Sequence, residues 1–175
     1  MEPGILISSP QMRDENFRRT VVLLVQHNAE GALGLVVNRE TQVRLGDVVE
    51  FLASAAPVRA NRPVLWGGPV ERGAGFVVFR GRSPEGWQVR NDVAVSASRE
   101  RLAALVAANA DFLLCLGYAG WGPGQLDREF EEGSWLHVDA SVDLLFECSS
   151  ADRYDRALAR LGLTAEALWM NPINE

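Results

Sequence analysis

The segment with the greatest chemical potential is the glycine-rich decapeptide Gly117–Leu126 (GYAGWGPGQL). It follows an apolar run and precedes a polar stretch, so it predicts a turn from a buried strand into a helix. Glycines there permit left-handed backbone, and a helix N-terminus offers N–H groups to an anion. The segment matches neither of the standard nucleotide fingerprints. Two interpretations stay open: a ligand or partner site, or closure of the core by Tyr118 and Trp121.

Two other segments combine glycine or charge with an adjacent apolar run. Trp66–Val70 (WGGPV) holds two glycines that would suit a ligand-facing turn, or simply a tight turn leaving a strand. Asp14–Thr20 (DENFRRT) is a polar cluster in which Arg19 could bind a carboxylate through two hydrogen bonds. An internal ion pair of Arg19 with Asp14 or Glu15 explains the cluster equally well.

Residues for nucleophilic catalysis or metal binding are sparse. The nearest match to GxSxG, Gly81–Glu85, fails at its last position. His27 and His137 are the only histidines, and neither has the spacing of a zinc signature. We therefore predict no metal and no cofactor. Cys115 and Cys148 both lie in apolar runs, which favours buried free thiols and leaves a disulfide open.

The basic residues are all arginine: the chain has 175 residues, 17 arginines and no lysine. Without lysine there is no P-loop ATPase, Schiff-base or kinase chemistry. The net charge of −6 disfavours direct binding to nucleic acid or to an anionic membrane. Arg153, Arg156 and Arg160 have helical spacing among aspartates, which predicts a solvated helix face.

The N-terminal residues 1–4 show no basic or apolar features of a signal peptide, and no apolar run approaches 18 residues. These features predict a cytoplasmic protein with no membrane partner.

The elements that must position these segments form a mixed α/β pattern with several hairpins, and the even composition predicts one domain over residues 1–175. The predicted strands are 5–7, 20–26 (covered on both faces), 32–38, 64–66, 75–80, 87–96, 112–118, 135–138 and 142–146. Four helices are predicted: one with inward residues Leu45, Val48, Val49 and Leu52, one with inward residues Leu102, Leu105 and Val106, one over residues 124–132, and one with inward residues Tyr154, Leu158 and Leu161. Gly162 ends the fourth helix, and Thr164 opens a last one.

Taken together, these motifs resemble the YqgE/AlgH family. The matching blocks are Asp14–Val22 with Phe17 and Arg19, His27, Gly31–Arg39, Gly67–Val70, Gly117–Leu126 and Trp135–Leu136. The resemblance covers almost the whole chain. Two positions depart from the family pattern: Glu40 stands where proline is frequent, and Asp127 where glutamate is usual.

The resemblance implies a bacterial cytoplasmic protein with an α+β domain. Its expected architecture is a bent, partly barrel-like, largely antiparallel sheet flanked by helices. The AlgH name links the family to transcriptional regulation of alginate synthesis, but the family offers no agreed catalytic residues to carry over. The family's motif positions give these candidate binding residues: Asp14, Arg19, His27, Asn38, Arg39, Gly68, Tyr118, Trp121 and Gln125.

The leading hypothesis is a non-enzymatic regulatory or binding domain for a protein or a small polar ligand, present as a monomer or weak homodimer. It predicts one concave patch containing Tyr118, Trp121 and Asn38 or Arg39. A hydrolase is the first alternative and requires a histidine beside a carboxylate, or beside Cys115, in a pocket. A direct DNA-binding regulator is the second alternative.

Overall fold

Ten strands and five helices occupy residues 1–49 and 60–164, the part of the chain that the computed structural model describes. The strands are β1 Gly4–Ser8, β2 Val21–Asn28, β3 Gly31–Val36, β4 Glu40–Arg44, β5 Pro63–Trp66, β6 Val70–Arg80, β7 Trp87–Arg90, β8 Val93–Ser96, β9 Phe112–Trp121 and β10 Trp135–Val138. The helices are α1 Leu45–Val48, α2 Arg99–Ala107, α3 Gln125–Glu131, α4 Val142–Phe146 and α5 Ser150–Ala159. No helix in these two ranges is long and apolar enough to cross a membrane.

The strands form a single sheet in the order β10-β1-β2-β3-β9-β6-β8-β7, and β4 and β5 join it beside β9. All pairs are antiparallel except β5 with β9. The sheet curls and brings β7 close to β2, so that the Trp87 indole in β7 donates a 3.2 Å hydrogen bond to Gln26 in β2. Arg90 at the end of β7 also lies 3.7 Å from Asp139, just beyond β10. The predicted α+β fold with a largely antiparallel sheet is confirmed.

Strand β9 joins the two halves of the sheet. Its first half pairs with β6 and β5, whereas Ala119–Trp121 pairs with β3. Gly117 lies between the two halves with φ +80°, in the left-handed region where glycine is favoured. The strand therefore changes partners at a glycine, and that glycine belongs to the decapeptide singled out in the sequence.

Strand β2 is buried on both faces, as its unbroken aliphatic run predicts. Val21, Leu23 and Val25 face the core under α4 and α5, whereas Val22 and Leu24 face a second core under α3. A third apolar cluster lies between α2 and the β6–β8–β9 region. Full burial of each such side chain stabilises the fold by about 1.5–3 kcal/mol.

Two predicted elements were wrong in type or number, and one strand was not predicted. The predicted strands 75–80 and 112–118 are parts of longer strands, Val70–Arg80 and Phe112–Trp121. Residues 87–96 form the two strands β7 and β8, which pair as a hairpin, and not one strand. Residues 142–146 form helix α4 and not a strand, since a five-residue apolar run does not distinguish the two. Strand β4 was not predicted because its burial alternates among polar side chains.

Two predicted inward positions are exposed. Val48 is 43% exposed because α1 is only four residues long, and Leu161 is 40% exposed because α5 has already ended at Ala159. Gly162 follows with φ +70°, as expected of a helix-ending glycine. The prediction for Leu52, and that of a helix continuing beyond Thr164, concern residues outside the described ranges.

Candidate functional site

Three of the predicted site residues fasten the connection between β1 and β2. The Asp14 carboxylate accepts a 2.8 Å hydrogen bond from the Asn16 amide, which forms a local turn. The Arg39 guanidinium donates to the Asn16 and Arg18 carbonyls at 2.6 and 2.8 Å. Asn38 accepts from the Val21 amide at 2.9 Å and so holds the start of β2. These side chains are engaged with the backbone of their own chain.

Arg19, at the end of the same connection, reaches a different element. Its guanidinium lies 4.6 Å above the Tyr154 ring and 3.6 Å from Asp155, both in α5. Asn38 donates a 2.9 Å hydrogen bond to the Arg19 carbonyl. Arg19 therefore pairs with a carboxylate of α5, and neither Asp14 nor Glu15 is its partner.

Trp121 and Gln125 form a second cluster around a residue that the sequence analysis did not select, Glu129. The Glu129 carboxylate accepts hydrogen bonds from the Trp121 indole at 3.2 Å, the Trp135 indole at 3.0 Å and the Gln125 amide at 2.8 Å. Phe17 stacks on Trp121 with ring centroids 6.1 Å apart. Only 6% of Trp121 is exposed, so this cluster closes a core.

Gly68 and Tyr118 meet where β5 passes β9. A Cβ atom on Gly68 would lie 2.1 Å from the Tyr118 backbone carbon and oxygen, so only glycine fits there. The Tyr118 ring packs edge-on against Phe76, with centroids 5.9 Å apart. Tyr118 belongs to the core under α4 and α5, whereas Trp121 belongs to the core under α3. The two rings therefore do not share the concave patch that the leading hypothesis predicts.

His27 lies apart from both groups and bridges the N-terminus to α3. One ring nitrogen lies 3.1 Å from the Met1 carbonyl, and the other lies 3.5 Å from the Asp127 carboxylate. His137 makes a similar contact, 3.1 Å from the Glu2 carbonyl. Both histidines thus hold residues that precede β1.

A cleft of about 340 Å³ lies between the β4–β5 pair, the start of β9 and the α4–α5 junction. None of the predicted site residues lines it. Its polar lining residues are Glu40, Arg62, Asp111, Cys148, Ser149, Ser150 and Arg153. We call it the Arg153 cleft.

Arg153 is the most unusual residue of this cleft, because it is a charged side chain with only 2% exposure. Its guanidinium donates to the Leu144, Leu145, Cys148 and Val37 carbonyls and to the Ser150 hydroxyl. Burial lowers the pKa of this group, but arginine starts high enough to remain charged.

The predicted solvated face of Arg153, Arg156 and Arg160 is therefore wrong for its first member. Arg156 is exposed, and Arg160 forms an ion pair with Asp143 of α4. The helical period of α5 already indicates that Arg153 faces inward. Arg153 lies one turn before the inward residue Ala157.

The two cysteines differ in environment, and both are free thiols. Cys115 is buried, and burial raises its pKa to about 12, which makes it a poor nucleophile. Cys148 is partly exposed in the Arg153 cleft, so the prediction of burial was wrong for this residue. Across residues 1–49 and 60–164, no three histidine, cysteine or acidic side chains come together as a metal site would require.

Known proteins of similar sequence and structure cover nearly the whole chain. A family model described as AlgH-like matches residues 5–166. A UPF0301 protein of Coxiella burnetii (strain RSA 331 / Henzerling II) is 38% identical over 167 residues, which is 93% of this chain and 90% of the relative. A UPF0301 protein of Anaeromyxobacter sp. (strain Fw109-5) is 40% identical over 177 residues, which is 93% of this chain and 89% of the relative.

Two solved structures share the architecture. The solution structure of the AlgH protein from Pseudomonas aeruginosa is 36% identical, with a TM-score of 0.75 over 99% of this chain and 94% of that one. A crystal structure of a Corynebacterium diphtheriae protein is 22% identical, with a TM-score of 0.74 over 91% of this chain and 87% of that one, and shows the fold alone. The chain belongs to the AlgH-like family, as its motif blocks predicted.

Proposed function

We propose that this chain is a cytoplasmic, non-enzymatic binding domain that holds a small polar ligand in the Arg153 cleft. One observation carries the proposal: a buried guanidinium lines a cleft of about 340 Å³. A buried charge costs several kcal/mol of desolvation, and Arg153 offsets this cost through carbonyls and a hydroxyl, which leaves its positive charge beside the cleft without a neutralising carboxylate. A concave site with a few converging polar groups is the usual form of a small-molecule site.

The hydrolase alternative is less well supported by the geometry. Its requirement is met only in part, because His27 lies 3.5 Å from the Asp127 carboxylate but neither residue lines the Arg153 cleft. However, the other nitrogen of His27 contacts the Met1 carbonyl, where a catalytic site would have a hydroxyl or thiol. The second requirement rests on Cys115, whose raised pKa opposes thiolate formation.

Regulation through a bound ligand also fits the charge better than direct contact with DNA. The net charge of −6 opposes a polyanion. A gel-shift titration should show no binding even at low salt, and a salt-dependent shift would favour the DNA-binding alternative instead.

A ligand panel read by amide chemical shifts tests the proposal. Small acids, amines, sugars and nucleotides are added to the protein, and the amide signals are followed. We expect at least one compound to move signals concentrated at residues 111–114 and 148–153. The variant Arg62→Ala should weaken that compound's binding, because Arg62 lines the cleft.

The matched control is Arg82→Ala, which removes an exposed arginine from the loop between β6 and β7. It should leave the binding unchanged. If the perturbed amides instead centre on Leu102 and Leu116, which line an apolar groove of about 540 Å³, the assignment to the Arg153 cleft is refuted.

A further inference from the structure

The charge at the base of the Arg153 cleft is not balanced by an ion pair. All the hydrogen-bond acceptors of Arg153 are backbone carbonyls or a hydroxyl, which carry partial charges only. Among residues 1–49 and 60–164, no carboxylate lies within 4.0 Å of its guanidinium. The cleft wall therefore retains a full positive charge in a region sheltered from solvent, where electrostatic attraction is screened least.

The acidic groups of the same cleft are placed differently. Asp111 lies 4.0 Å from Arg80, which also pairs with Glu147 at 3.4 Å. Glu40 attracts Arg153 through space, but it is exposed at the start of β4, where water screens its charge. Arg62 adds a second guanidinium to the lining, and like the two carboxylates it is exposed. The buried charge of the cleft is therefore positive, whereas its negative charges are exposed to water.

The rest of the lining is largely apolar. It includes Leu65, Leu113 and Phe146, and Leu65 is only 3% exposed. Such walls suit the hydrocarbon part of a ligand, because burying apolar surface is favourable. Ser149 and Ser150, which come between Phe146 and Arg153 in the sequence, also line the cleft.

On the basis of the proposed function, we infer that the ligand is a small organic acid, with a carboxylate attracted by Arg153 and Arg62 and an apolar body against Phe146 and Leu113. Because the donors of Arg153 are already used, its contribution is attraction through space. The direct hydrogen bonds to the carboxylate come from Arg62 and Ser150, because the Ser149 hydroxyl already donates to Asp152 at 3.0 Å.

Three probes of nearly equal shape test this inference: benzoate, benzamide and benzylamine. Their dissociation constants for the full chain are measured by amide chemical-shift titration. Benzoate should bind at least about tenfold more tightly than benzamide, and benzylamine should bind most weakly, as expected for a positive site of intermediate dielectric. Arg62→Gln should weaken benzoate binding about threefold or more, whereas the control Arg82→Gln should not change it.

Equal or tighter binding of benzamide or benzylamine at the cleft would overturn the organic-acid inference and leave the binding function intact. Failure of all three probes to move the cleft signals at millimolar concentration would also overturn it. Whether the cleft binds any small ligand is then decided separately, by the panel of acids, amines, sugars and nucleotides.

Discussion

Replacement of Arg153 by methionine should destabilise the protein severely. Methionine has a similar length and fits an apolar surrounding, but it donates no hydrogen bond. Four buried or partly buried carbonyls, those of Leu144, Leu145, Cys148 and Val37, would each lose a charged donor.

The size of the effect follows from two opposing contributions. At about 1.5 kcal/mol for each orphaned acceptor, the lost hydrogen bonds cost about 6 kcal/mol. Removing a desolvated charge and burying an apolar side chain return roughly 3 kcal/mol. The cost of the unpaired carbonyls exceeds this gain, so the free energy of unfolding should fall by about 3 kcal/mol.

Equilibrium unfolding in urea measures this loss, with Arg156→Met as the control. Arg156 lies one turn nearer the end of α5 and is exposed, so its replacement should change stability by less than about 0.5 kcal/mol. Arg153→Lys retains the charge but has three donors and should fall between the two. If the unfolding free energies of Arg153→Met and Arg156→Met differ by less than about 1 kcal/mol, the hydrogen bonds of the Arg153 guanidinium do not stabilise the fold and the reasoning is refuted.

Three other substitutions have expected outcomes. Gly68→Ala should cost about 3 kcal/mol or more of unfolding free energy, measured in urea, because its Cβ would lie 2.1 Å from the backbone of β9. Glu129→Leu should cost about 2–4 kcal/mol in the same assay, since two indole N–H donors lose their acceptor. Cys115→Ala should flatten the alkaline pH dependence of stability. The pKa of Cys115 is about 12 when folded and near 8.5 when unfolded, so unfolding becomes easier above about pH 8.5, by up to ~1.4 kcal/mol per pH unit.

Each of these has its own control. Gly73→Ala places its Cβ where no described atom lies within 4 Å and should change stability by less than 1 kcal/mol. Glu131→Leu alters an exposed carboxylate of the same helix and should be nearly neutral. For Cys115, unfolding midpoints from pH 8 to pH 11 are compared with those of the wild type. Parallel slopes would show that the thiol does not contribute.

The elements were predictable where the chain's pattern was long or unambiguous. The aliphatic run of β2 required cover on both faces, and the spacing of Leu102, Leu105 and Val106 correctly predicted helix α2. The five-residue apolar run at 142–146 had no periodicity to decide its type, and packing made it a helix. A strand of mostly polar residues, such as β4, has little hydrophobic pattern from which it could be predicted.

The site was less predictable, since motif residues and cleft residues proved to be different sets. Asn38, Arg39 and Gly68 were selected as motif positions, yet their contacts hold backbone segments together. Arg153 was set aside as one member of a charged stripe. The helical period places Arg153 on the inward face of α5, but the carbonyls of Leu144 and Val37 that accept its hydrogen bonds lie in other parts of the chain and cannot be predicted from the spacing within α5.

The pairing of β1 with β10 has a consequence for synthesis of the chain. Ile5 aligns with Val138, so the outer neighbour of β1 is encoded 133 positions later. While the ribosome is still translating the middle of the chain, β1 presents an unpaired edge with Ile5–Ile7 at its centre, which is the kind of surface that recruits other strands. Completion of the sheet therefore depends on the last third of the chain, and chaperones that hold the nascent chain until then would protect the exposed edge of β1.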